Sequence, residues 1–202
     1  MMLCAACLAA CSSSNETPSD STGVTETVAP PAVTASAAPS LGLGEPIDLS
    51  CRDSASAVTP PADSDLKVAG LAFSGVSATD GTSAGDMELV KDGRTFTFRK
   101  VFVYATPQAS TKTTLTILGP DTAAFFYQPQ YSKSGAVLDV SAAERIDAST
   151  RQVSLEGCGK ATTGYLGGII VSRPTCVEIA IAGNGPNDTS TTVVLPVLID
   201  AC

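Results

Sequence analysis

From Leu66 to the end of the chain, apolar and polar residues trade places in short runs, and Gly, Pro, Asn and Asp separate the runs. A period of two puts successive side chains on opposite faces of a strand. Ile47–Cys51 is a short apolar start, and Leu66–Phe73 reads as one strand with a twist at Gly70. Met87–Val90 leads into Lys91-Asp92-Gly93-Arg94, where an Asp-Gly pair between apolar runs predicts a hairpin. Thr95–Ala105 points Phe96, Phe98, Val101 and Val103 inward; the like charges Arg99 and Lys100 predict a bulge that shifts the alternation by one. Further strands are expected at Thr113–Leu118, Ala123–Gln128, Ala136–Val140, Gln152–Gly157, Tyr165–Ser172, Cys176–Ala182 and Thr191–Ile199. Tyr165–Ser172 is apolar throughout, as a central strand would be, and Pro196 marks an edge or a bulge. Ser141–Asp147 is the one expected helical turn.

Many short strands, turn-forming residues between them and almost no helix predict an all-β domain over residues 45–202. The expected architecture is a two-sheet antiparallel sandwich. It resembles immunoglobulin domains in architecture only, because the chain has no Trp to place in a core of that type.

The N-terminal part is of another kind. Leu8-Ala9-Ala10-Cys11 is followed at once by Ser12-Ser13-Ser14, and residues 12–44 contain no Lys, Arg or aromatic residue. The four-residue stretch resembles the lipobox of bacterial lipoproteins. That resemblance implies cleavage before Cys11 and a lipid on its thiol, with residues 1–10 as a signal-peptide remnant. The first Lys or Arg is Arg52, so the basic start of such a signal would lie upstream of Met1. Residues 11–44 then form a lipidated, disordered tether rich in Ser, Thr, Ala and Pro. Thr25–Ser40 has the composition of an O-glycosylated stalk. Together these features place the protein on a cell membrane, anchored through Cys11 and facing the extracytoplasmic side.

Cys4 and Cys7 belong to the remnant, and four cysteines lie in the domain. An even number in an exported domain implies two disulfides. If the strands at 152–157, 165–172, 176–182 and 191–199 ran as a meander, Cys158 and Cys176 would sit at opposite ends, whereas Cys202 would return to Cys176. The expected pairs are therefore Cys51–Cys158 and Cys176–Cys202.

Candidate chemistry is sparse. The chain has no His, which excludes Ser-His-Asp and Cys-His catalysis, so no enzyme, cofactor or metal is expected. Ser64-Asp65-Leu66-Lys67 has S-x-x-K spacing without the K-T-G partner, and Gly164, Gly167 and Gly168 lack a phosphate-loop ending. Asp80–Asp86 holds oxygen ligands but not the spacing of a calcium loop, and Asn187-Asp188-Thr189 is a glycosylation sequon within a turn. Glu144, Arg145 and Asp147 read as a solvated charged face. The net charge of −8 argues against nucleic acid as a partner. The expected function is a binding or interaction module whose partner is an envelope protein, glycan or lipid. The loops 74–86, 105–112 and 183–190 are its candidate surfaces. The alternatives are an envelope hydrolase using a carboxylate pair and a carrier of a small apolar ligand between the sheets.

Overall fold

The computed structural model describes residues 41–55, 66–76, 86–127, 140–159, 161–184 and 190–202. Thirteen strands and one short helix follow in order: β1 (Ile47–Leu49), β2 (Leu66–Val68), β3 (Leu71–Ser74), β4 (Met87–Lys91), β5 (Arg94–Lys100), β6 (Phe102–Ala105), β7 (Lys112–Gly119), β8 (Ala123–Tyr127), α1 (Ala142–Asp147), β9 (Gln152–Glu156), β10 (Thr163–Tyr165), β11 (Gly167–Val171), β12 (Thr175–Gly183) and β13 (Thr191–Val197). The fold is all-β, with antiparallel sheets packed face to face and two disulfides.

One sheet has five strands in the order β1-β9-β7-β12-β13; every pairing in it is antiparallel except β1 with β9. The facing strands form two four-stranded ladders, β4-β5-β11-β8 and β10-β6-β3-β2. These ladders share one long antiparallel run. Val171 pairs with Thr97, Gly168 with Lys100, Tyr165 with Val103 and Thr163 with Ala105, so the register is the same on both sides of Val101. No residue is inserted, and the bulge expected at Arg99-Lys100 is absent. The alternation shifts for a different reason: the strand changes which face it buries. Phe96 and Phe98 point to one core, and Val101, Val103 and Ala105 to another. Arg99 is buried on the second face and ion-pairs with Asp86 at 2.7 Å, while Lys100 lies 4.7 Å from the centre of the Phe102 ring on the first. The true irregularity is in the other sheet. There the β7 partner of β12 jumps from Gly119 to Ile117 between Glu178 and Ile179, and Leu118 is pushed out to solvent.

Two cores follow from this geometry. The larger lies between the sheets and is filled by Phe73, Phe125, Tyr127, Tyr165 and aliphatic residues of both. The smaller lies on the outer face of β4-β5-β11-β8, under α1, and contains Leu41, Leu89, Phe96, Phe98, Phe126, Ile146 and Ile170. β8 and β11 are buried on both faces, which accounts for the unbroken apolar run Tyr165–Val171.

α1 starts at a capping box in which Ser141 and Glu144 exchange hydrogen bonds, and the Ser141 hydroxyl and amide hold the Glu144 carboxyl below its ordinary range. Glu144 is exposed, but Arg145 is not part of a solvated face. It is fully buried, with its guanidinium 5.5 Å from the centres of both the Phe98 and Phe126 rings and its Nε donating to the Val140 carbonyl. Asp147 reaches Lys91 at the end of β4. The helix is thus fastened to the sheet by a cation between two aromatic faces.

The body also begins before Glu45. Leu41 is buried and donates its amide to the Asp121 carbonyl, Gly44 donates to Ser149, and Leu43 bridges Thr150. Residues 41–44 are therefore packed structure rather than tether. Leu66–Phe73 is not one strand but a hairpin, with Ala69 and Gly70 both at positive φ in the tight turn. A Cβ on Gly70 would come within 2.6 Å of the Ala109 backbone, so only glycine fits there. Asp92-Gly93 makes the expected hairpin turn, and Pro196 lies on the edge strand β13. The strand expected at Ala136–Val140 lies outside the described residues except for Val140.

Replacing Arg145 with Ala should empty space between Phe98 and Phe126 and lower stability by about 3 kcal/mol. Urea unfolding monitored by circular dichroism would measure the loss.

Candidate functional site

Within each sheet the strands pair antiparallel except β1 with β9, so strand ends gather at two poles of the body. β7 runs from Lys112 at one pole to Gly119 at the other, a span of about 23 Å. The chain joins the body at the second pole, where Leu41 meets Asp121. The first pole carries the β2–β3 turn, residues 106–111, the end of β9, the start of β10 and the end of β12. Among the described residues two clefts open there: one of about 400 Å³ beside the β1 edge, and one of about 330 Å³ beside the β2–β3 turn.

The larger cleft is lined by Asp48, Leu49, Ser50, Thr111, Lys112 and Glu156. Strand alternation sets its chemistry. Val153 and Leu155 of β9 face the core, so Ser154 and Glu156 face outward. Lys112 stands directly across from Glu156 on β7, and Asp48 stands beside Ser154 on β1. Lys112 Nζ lies 2.9 Å from the Asp48 carboxylate, and Glu156 accepts the Cys51 amide at 2.9 Å. Ser50 caps the short helical turn Cys51–Asp53 by a reciprocal pair of bonds with Asp53. The Cys51–Cys158 disulfide, with Cα atoms 5.6 Å apart, closes the rim of the cleft and ties the end of β1 to the end of β9. Beneath it the Tyr165 hydroxyl donates to the Glu156 carbonyl; burial first, and then the charge of Glu156, pushes that phenol up to about 12.

The Lys112 ammonium holds the Asp48 carboxyl below its ordinary value of 3.8 by hydrogen bonding and by charge. A carboxyl that must donate a proton near neutral pH needs the opposite shift. Asp48 and Glu156 share a face as diagonal neighbours, yet Asp48 is arranged to stay ionised. The cleft can therefore accept hydrogen bonds and attract cations with its carboxylates, and offer one ammonium and two hydroxyls.

The other expected residues are dispersed. The second disulfide, Cys176–Cys202, has Cα atoms 5.8 Å apart and lies at the opposite pole from the first. Both pairs coincide with those drawn from the sequence, although the expected meander does not exist, because β9 and β10 belong to different sheets. The continuous run of β10 and β11 from one pole to the other separates Cys158 from Cys176. Of the candidate loops, 105–112 contributes to both clefts, and Asn184 of 183–190 donates to the Lys112 carbonyl beside the larger one. Asp86, the described end of Asp80–Asp86, pairs with Arg99. Gly164, Gly167 and Gly168 lie within β10 and β11, and a Cβ at Gly167 or Gly168 would overlap the Tyr127 ring or the Arg99 carbonyl. Lys67 lies on β2; Cys11, Ser64 and Asn187 lie outside the described residues. Among the described residues no three His, Cys, Asp or Glu side chains are grouped to hold a metal, and no helix is long and apolar enough to cross a membrane. The cleft triad Asp48, Lys112 and Glu156 was missed from the sequence, because only the parallel pairing of β1 with β9 brings it together. Compared with known protein families, curated proteins and solved structures, the chain finds no match.

Because the Asp48 carboxyl is depressed in the folded state, its pair with Lys112 favours the native state above about pH 4 and is lost as pH falls through the lowered value. Carbon-detected NMR titration should find Asp48 titrating below 3.8 and returning toward 3.8 in Lys112→Met.

Proposed function

We propose that this protein is a lipid-anchored, extracytoplasmic interaction module of a bacterial cell envelope. The observation that carries the reading is the sequence Leu8-Ala9-Ala10-Cys11 followed by a long run without basic or aromatic residues. Two disulfides in the body fit an oxidising compartment outside the cytoplasm. The placement of the clefts supports the same reading: the anchored chain joins the body at one pole, and both clefts and the loops around them open at the other.

The partner is an envelope protein, glycan or lipid headgroup met at the loop pole. Among the described residues the space between the sheets is lined by the buried side chains Phe73, Phe125, Tyr127 and Tyr165, which favours this surface over an interior pocket for an apolar ligand. The lowered Asp48 pKa favours binding over acid catalysis by the carboxylate pair.

Cys11→Ser should abolish incorporation of a clickable fatty acid and move the protein from the membrane fraction to the soluble fraction. Unchanged membrane retention and labelling in Cys11→Ser would contradict the anchor.

A further inference from the structure

We propose that the Cys51–Cys158 disulfide is a redox latch that assembles the larger cleft. In the dithiol state the segment 45–55 leaves the edge of the sheet while the rest of the body stays folded. The inference concerns the cleft of the proposed interaction surface, but its physical basis is independent of the anchor at Cys11.

The reason lies in how little else holds this segment. β1 is three residues long and, among the described residues, pairs on one side only, with β9, in the one parallel ladder there. Short parallel pairing at a sheet edge is weak. Of its side chains only Leu49 is buried; Ile47 is half-buried and Asp48 exposed, and the Asp48–Lys112 pair is a surface ion pair, which adds little. The capping box of Ser50 and Asp53 lies wholly within the segment and cannot hold it to the body. Further ties among the described residues are Asp48 to the Ser154 side chain, Gly44 N–H to the Ser149 carbonyl at the near end, Cys51 N–H to Glu156 in the middle, and Ala55 N–H to the Gly164 carbonyl at the far end. The disulfide sits two residues from the middle of the cleft wall, and it is the one covalent tie to β9. Three of the six cleft residues, Asp48, Leu49 and Ser50, belong to this segment, so its departure removes one wall.

Both Cys51 and Cys158 are partly exposed, so a thiolate can reach the bond. The reductant is a dithiol. One of its thiolates attacks a sulfur of the bond and expels the other cysteine as thiolate. Its second thiol then displaces the protein sulfur and closes its own disulfide. Two electrons and two protons pass to the protein, and the dithiol is oxidised. The rest of the body does not share the dependence. β7 and β12 pair along most of their length in the middle of the sheet, and their inward side chains are fully buried. The cleft is therefore complete only after the chain has entered an oxidising compartment.

The test is hydrogen–deuterium exchange on the full chain, oxidised and after mild reduction by a small dithiol, with Cys51→Ser/Cys158→Ser as the genetic equivalent and Cys176→Ser/Cys202→Ser as control. The expected result is exchange at residues 47–53 faster by tenfold or more, as for a locally unfolded segment, with protection in β7 and β12 unchanged. The control variant should leave residues 47–53 protected. Unchanged protection at 47–53 after reduction would show that β1 needs no latch and would overturn the proposal. So would a loss of protection spread over β7 and β12, because the bond would then be a global staple.

Discussion

The structure depends on one long antiparallel ladder, residues 97–105 against 163–171, in which the buried face changes sides partway along. Below Val101 the strand serves the core under α1, and above it the core between the sheets. A β-strand can do this only if its backbone stays in register while its polar residues move to the face that has become exposed. Arg99 is the exception: it is buried at the crossover and depends on Asp86 and the Gly75 carbonyl. The Val101 carbonyl accepts the hydroxyl of Tyr127, which reaches across Gly167 from β8 of the same ladder, and burial pushes that phenol far up, so it remains a neutral donor. The third layer, α1 with Leu41, exists because this crossover leaves Phe96, Phe98 and Phe126 on an outer face that must be covered.

Covering that face also fixes where the chain joins the body. Leu41 is buried in the smaller core, next to Asp121, at the pole opposite the clefts. Strand reversal then sends the loop at 106–111, the β2–β3 turn and the end of β9 to the far pole. Function-bearing loops on a rigid scaffold are a common arrangement. Here β8 and β11, buried on both faces, lie at the centre of that scaffold.

Much of the fold was legible in the sequence. Local patterns gave the strands, the Asp92-Gly93 turn, the helical turn after Ser141 and the edge position of Pro196, since each is decided by residues close in the chain. What was not legible is what depends on distant partners. Arg145 looks solvated beside Glu144 and Asp147, and only the placement of Phe98 and Phe126 shows that a cation is buried there. Arg99-Lys100 looks like a bulge because a sequence does not show that a strand can bury its two faces in turn. Leu66–Phe73 looks like one strand because Ala69 gives no sign of its positive φ. The cleft was invisible for the same reason: Asp48, Lys112 and Glu156 meet only through the pairing of β1 with β9 and β9 with β7.

The central claim is the proposed anchor at Cys11 on a body oxidised at two pairs of cysteines. Peptide mapping by mass spectrometry of protein extracted from native membranes under non-reducing conditions tests it most directly. The account predicts a first residue of Cys11 carrying acyl chains, together with linked peptides joining Cys51 to Cys158 and Cys176 to Cys202. Peptides that run through residues 8–14 with an unmodified Cys11, or free thiols at the four body cysteines, would contradict it.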